Sequence, residues 1–161
     1  MKTKCRVGIW MGVCALLIAL DRVSKAWASQ VLRAQPGGEM VVWPGVFHFH
    51  YMQNTGAAFG MLSGFRWLNV ALTFLFLLVM SVAIWRMRNR RGILPAGALV
   101  MAGGLSHLYD RLVGGGIVDF IEIDFVRFAI FNVADICICV GAVVFTCAYL
   151  LQDNRIRSER A

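Results

Sequence analysis

The chain has 161 residues, 59% of them hydrophobic, with a mean hydropathy of +0.68 and a formal net charge of +7. Soluble domains average about 45–50% apolar residues, so this excess excludes an ordinary soluble domain and places the chain in the membrane class. The basic residues sit at the ends of apolar runs, where they orient helices and attract anionic lipid, so nucleic acid is not an expected partner.

A spanning helix needs roughly 20 mostly apolar residues, and four stretches qualify: 7–28, 67–85, 93–112 and 131–151. The expected fold is therefore an all-α membrane protein of four transmembrane helices in a single domain, residues 1–161. Lys2, Lys4 and Arg6 precede the first stretch. Arg86, Arg88, Arg90 and Arg91 separate the second from the third, and Arg155, Arg157 and Arg160 follow the fourth. By the positive-inside rule these three groups share the cytoplasmic side, with both termini inside. The basic start, apolar run and Ala26-Trp27-Ala28 also fit a secretory leader, which would discard Asp21, Arg22 and Lys25; the size of the mature protein separates the two readings.

Two outer segments alternate with the period of a strand. Within 41–51, Phe47-His48-Phe49-His50-Tyr51 puts both histidines on one side, and 117–128 (IVDFIEIDFVRF) alternates after three glycines. Small β-type segments are expected on the outer surface. His48 and His50 are a candidate metal pair, but the sequence offers no third ligand. Cys5, Cys14, Cys137, Cys139 and Cys147 lie in the basic start or in apolar runs, so no disulfide framework is indicated.

Ionisable residues in spanning helices cost about 2.5–3.5 kcal/mol each, so their depth is informative. Asp21, Arg22 and Lys25 lie at the outer end of the first stretch, Asp110 and Arg111 at that of the third, and Asn132 and Asp135 at that of the fourth. The inner halves of the first, second and fourth stretches carry no charge. A transporter would place its site at the midplane with polar access from both faces; this pattern instead describes a pocket open to the outer surface. Asp21 and Lys25 are spaced i, i+4 and can pair on one face, or only snorkel. Asn132 and Asp135 are spaced i, i+3, which also suits a helix cap with a first-turn acid. Asp119 lies sixteen residues before Asp135. Two acids in one site can share a proton, one activating water and the other donating to a carbonyl oxygen.

Five blocks in order resemble a known family over nearly the whole chain: Asp21-x-x-x-Lys25, Asn54-Thr55-Gly56-Ala57-Ala58-Phe59, Gly103-Gly104 through Asp110-Arg111, Val118-Asp119-Phe120, and Phe131-Asn132-Val133-Ala134-Asp135. The chain resembles lipoprotein signal peptidase, or signal peptidase II, an aspartyl peptidase of bacterial inner membranes. The resemblance implies cleavage of lipid-modified precursor proteins just before a diacylglyceryl-cysteine, near the periplasmic face, by Asp119 and Asp135. It implies supporting roles for Asp21, Lys25, Asn54, Gly56, Arg111, Asn132 and Ala134. It requires no metal or organic cofactor, and the expected partners are the prolipoprotein substrate and membrane lipids, the enzyme acting as a monomer. The family's third block usually has Gly-Asn where this chain has Ser106 and His107. Neutral histidine can donate one hydrogen bond and accept another, so His107 is a candidate replacement for the amide.

Overall fold

The computed structural model describes residues 3–56 and 61–158, with side chains over 5–56 and 61–151. Ala57, Ala58 and Phe59 of the second block lie outside the described residues, as do Lys2, Arg160 and the side chains of Lys4, Arg155 and Arg157. Four long helices carry one small sheet: α1 (Thr3–Trp27), β1 (Glu39–Trp43), β2 (Phe47–Asn54), α2 (Arg66–Met87), α3 (Ile93–Val113), β3 (Ile117–Ile123) and α4 (Val133–Ser158). A π-helical turn, Ala28–Leu32, prolongs α1 beyond the expected 7–28.

Among the described residues three helices are long and apolar enough to cross a membrane: Cys5–Leu32, Arg66–Met87 and Val133–Leu151. They leave large apolar side chains exposed, including Met11, Leu16 and Val23 on α1, Phe74, Leu75 and Val79 on α2, and Val140 and Val143 on α4. A surface of this kind needs an apolar solvent. The fourth expected span, α3, has 21 residues, about 31 Å at 1.5 Å per residue, but its last turns hold Ser106, His107, Asp110 and Arg111. It is the helix the other three enclose, and twelve of its residues are buried.

Small residues make this enclosure close, as in other membrane helix pairs. A Cβ on Gly103 would stand 2.4 Å from the Ala134 carbonyl oxygen, and one on Gly104 would stand 2.7 Å from Leu77. Leucine can turn aside; a helix carbonyl cannot. Gly103→Ala is therefore expected to destabilise the protein by about 1–3 kcal/mol, and more than Gly104→Ala does, in unfolding from detergent micelles.

The strands form an antiparallel sheet in the order β1-β2-β3. The alternating stretch Phe47–Tyr51 lies in β2, and the residues before it complete a hairpin with β1. Pro44 and Gly45 (φ +74°) turn the chain, and the Val46 N–H donates to the Trp43 carbonyl at 3.0 Å. Pro44 has no N–H for a ladder, and Gly45 takes a positive φ without a Cβ clash. β3 stops at Ile123 rather than running to 128, and the chain rejoins the sheet only where Phe131 bridges Ile121. The sheet packs on the end of α1 through Ala28, Leu32 and Phe120, with Trp27 edge-on to Phe49 at 5.1 Å between ring centroids.

Candidate active site

A β-bulge sets the direction of Asp119. The N–H groups of Phe120 and Ile121 both donate to the Phe131 carbonyl, at 3.0 and 2.9 Å, so two residues of β3 oppose one of the returning chain. The register of β2 against β3 also slips between Phe49 and Met52. Val118, Phe120 and Ile121 consequently all meet the apolar cluster on α1. In plain alternation Asp119 would share the face of Ile121. The bulge turns it away, into a cavity of about 520 Å³ that it lines with Asp135, Asn54, His107 and Arg111.

Asn132 joins the two carboxylates. Its side-chain Nδ2 donates to Asp119 Oδ1 at 2.6 Å, while its backbone N–H donates to Asp135 Oδ2 at 2.9 Å. The Asp135 N–H returns a bond to Asn132 Oδ1 at 3.1 Å, a reciprocal cap on the first turn of α4. The capping and site readings of this pair are thus one arrangement. Asn54 Nδ2 donates to Asp119 Oδ2 at 3.1 Å, and Asn54 Oδ1 accepts the Gly56 N–H at 2.9 Å. His107 Nε2 lies 3.0 Å from Asp135 Oδ1. An ionised carboxylate only accepts, so Nε2 carries the ring proton when Asp135 is charged. Among the described residues, His107 Nδ1 is buried without a hydrogen-bond partner.

The environments of the two acids differ. The Asp119 residue is 3% exposed, while the Asp135 side chain is 38% exposed to the cavity. Burial pushes the Asp119 carboxyl up from 3.8 to about 6, with the negative charge of Asp135 adding to the rise, against the opposing hydrogen bonds of Asn54 and Asn132.

Arg111 braces the site from its rim. Its guanidinium donates to Thr73 Oγ1 at 3.0 Å on α2 and to the Gly56 carbonyl at 3.3 Å. Arg66 in turn holds the end of α3 through the carbonyls of Arg111 and Leu112.

Asp21 and Lys25 belong to a separate buried cluster behind the cavity. Lys25 Nζ lies 2.8 Å from both Asp21 Oδ2 and Asp110 Oδ2, and Arg22 bridges the same two acids. Ser106 Oγ donates to Asp21 Oδ2 at 2.5 Å, and the Ala134 N–H donates to Asp21 Oδ1 at 3.0 Å. One carboxylate therefore ties α1 to α3 and to the start of α4. Ala134 contributes its backbone, and its small side chain is buried.

A sequence model of the family described as signal peptidase (SPase) II matches residues 13–151. The chain belongs to the signal peptidase II family. A protein of Streptococcus pneumoniae named lipoprotein signal peptidase is 35% identical over 158 residues, covering 95% of this chain and 97% of its own. One from Streptococcus agalactiae is 36% identical over 145 residues, covering 88% and 92%, and one from Lactococcus lactis is 35% identical over 133, covering 83% and 87%. The fold matches a bacterial membrane enzyme solved at 2.3 Å by the in meso method, with a TM-score of 0.75, 26% identity and coverage of 91% and 90% of the two chains.

Against the signal peptidase II pattern, Ser106 and His107 divide two tasks between them. Ser106 serves the cluster on Asp21, and His107 reaches Asp135. The sequence singled out Asp110 and Ser106 without giving them a role, and did not single out Thr73 or Arg66 as members of this framework. Asp110 carried a signal, being a costly acid at the same depth as Asp21 and Lys25. Thr73 carried none, because one threonine in an apolar helix commonly bonds back to its own helix, as Thr73 also does to Asn69.

Proposed function

We propose that this bacterial membrane enzyme, an aspartic-type signal peptidase, is an endopeptidase that removes the signal peptide from diacylglyceryl-modified prolipoproteins by cutting immediately before the lipidated cysteine. Family membership supports action on prolipoproteins. The observation that carries the mechanism is the pairing of Asp119 and Asp135 through Asn132 on one cavity.

In this reading a water held between the two acids attacks the scissile carbonyl carbon. Asp135 takes a proton from the water, and Asp119 gives its proton to the carbonyl oxygen. As the C–N bond breaks, the proton on Asp135 passes to the leaving amine, and Asp119 recovers one from the diol oxygen. Asp135 is the anion of the resting pair: it sits in the first turn of α4, where the helix dipole favours negative charge, and accepts bonds from the Asn132 N–H and His107. Asp119 holds the shared proton, its carboxyl being pushed up to about 6.

The cavity wall of Ile136, Cys139 and Val140 lies on one face of α4, where Ile136 and Val140 are exposed to the bilayer side. Acyl chains lying along this face would hold the bond to be cut at fixed depth beside the acids, the orientation effect on which catalysis draws. Asn54 and Asn132 brace Asp119, Arg111 braces the Gly56 turn, and His107 positions Asp135. Asp21 and Lys25 hold the helices in place. All of this forms one domain in which α3 is the fourth transmembrane helix, its polar end buried by its neighbours. The arginine-rich turn between α2 and α3 lies with both termini in the cytoplasm, and the sheet lies at the outer face of the inner membrane.

The test is cleavage of a precursor with and without its diacylglyceryl group, with the product's new N-terminus read by mass spectrometry. Cleavage of the lipidated form alone, leaving the modified cysteine first, is the expected result. A cut elsewhere, or equal cleavage of both forms, defeats the proposal. The pH profile gives a second test. A raised carboxyl is protonated below its shifted value and ionised above it, so kcat/KM is expected to fall about tenfold per pH unit as pH rises past about 6. A profile flat across that value would remove Asp119 as the proton donor.

A further inference from the structure

His48 and His50 project from the face of β2 opposite Phe49, and their rings stack at 6.1 Å between centroids with 20° between planes. The third ligand that their spacing alone does not supply comes from the neighbouring strands. Glu39 of β1 is the register partner of His50, and Glu122 of β3 is the partner of His48. Glu122 Oε2 lies 2.6 Å from His50 Nδ1 and 3.2 Å from His48 Nε2. Glu39 Oε1 lies 3.9 Å from His50 Nδ1. One atom each from Glu39, His48 and His50 falls within 4.8 Å of the others, so side-chain rotations drawing them together by about 1 Å reach the roughly 3.3–3.6 Å ligand spacing of a tetrahedral ion with bonds of about 2.0–2.2 Å.

The remaining polar neighbour has the role of an orienting carboxylate. Asp124, just past β3, meets His48 Nδ1 at 2.5 Å. It fixes the proton of a neutral His48 on Nδ1 and leaves the Nε2 lone pair free on the side of Glu122, 3.2 Å away, as outer carboxylates do for metal-bound histidine. Two neutral imidazoles and two carboxylates would neutralise a divalent ion. With side-chain exposures from 19% for His48 to 52% for Glu39, the group opens to solvent.

We propose that Glu39, His48, His50 and Glu122 form a binding site for a divalent transition-metal ion of the zinc class. Such an ion would join all three strands, including β2 and β3, which carry Asn54 and Asp119 into the cavity. The site is then a staple on the sheet, separate from the chemistry of peptide cleavage.

Co2+ is the probe, added at neutral pH to the tag-free full chain in detergent. The expected result is one ion per chain, with the visible absorption of four-coordinate Co2+, displaced by Zn2+ and accompanied by a rise in Tm that grows with metal concentration. His48→Ala and His50→Gln are each expected to weaken binding more than 100-fold, and Asp124→Asn about 10–100-fold, with each variant's metal-free Tm checked against wild type. Absence of stoichiometric binding overturns the proposal and leaves the two histidines as partners of the acids alone. So does binding that survives both histidine changes, or absorption of the thiolate type from the free cysteines. The experiment reads binding rather than cleavage, so its outcome is independent of the proposed peptidase mechanism.

Discussion

Asp119→Asn and Asp135→Asn are each expected to lower kcat for a lipidated precursor by about 10²–10⁴-fold, the range of general acid–base contributions. The double variant should lose little more than the worse single one, because the two acids act as one unit. The folded state should tolerate both changes. In Asp135→Asn the new amide oxygen can still accept the Asn132 N–H. In Asp119→Asn, both original oxygens face amide donors from Asn132 and Asn54, so one donor must turn away, at a cost of about 1 kcal/mol. Single-turnover cleavage measured alongside Tm separates lost chemistry from lost structure. A variant that keeps most of its kcat would show that its carboxylate is not in the reaction.

Asp21→Ala is expected to act in the opposite way, mainly on stability. Asp21 is 1% exposed and Lys25 4% exposed. Removing the carboxylate leaves Lys25 with Asp110 only, takes one partner from Arg22, and strands the Ala134 N–H and the Ser106 hydroxyl. Breaking a buried pair on one side costs about 3–5 kcal/mol, which reversible unfolding in mixed micelles would measure. Asp21→Asn keeps an acceptor for Ala134 and should cost less. Activity would fall as well, because the start of α4 carries both Asn132 and Asp135. An Asp21→Ala protein as stable as wild type would show that the cluster holds nothing together.

The comparison of these residues with their sequence context shows what patterning can reveal. The helices were legible because apolar runs of spanning length have few other uses. The depth of the charges was legible because ions inside a bilayer are costly, and that depth assembled the neighbourhood of the site. The alternation of Phe47 to Tyr51 correctly separated aromatic from histidine faces. Partnerships between segments were not legible. Lys25 had an obvious mate in Asp21 by helical spacing, yet it is shared with Asp110 on another helix, which depends on how α1 and α3 face each other. The pairing of β1 with β2 across Pro44-Gly45 was not legible either, because only Phe47 to Tyr51 carries the alternation of a strand. The bulge at Phe120-Ile121 was hidden for a deeper reason. Simple alternation puts Asp119 on the face of Ile121, and only pairing with Phe131 reverses it.

The route of the chain through Asp21 also bears on when activity begins. This carboxylate, near the end of the first helix, accepts the backbone N–H of Ala134 at the start of the last one. Asp119 is held by Asn132, which opens that same last helix. As the ribosome delivers the chain in order, the first three helices arrive with Asp135 still missing and Asp119 without its bond from Asn132. If cleavage needs both acids, as proposed above, the chain becomes competent only when its final segment docks, and an unfinished chain would lack the means to cut its neighbours during insertion.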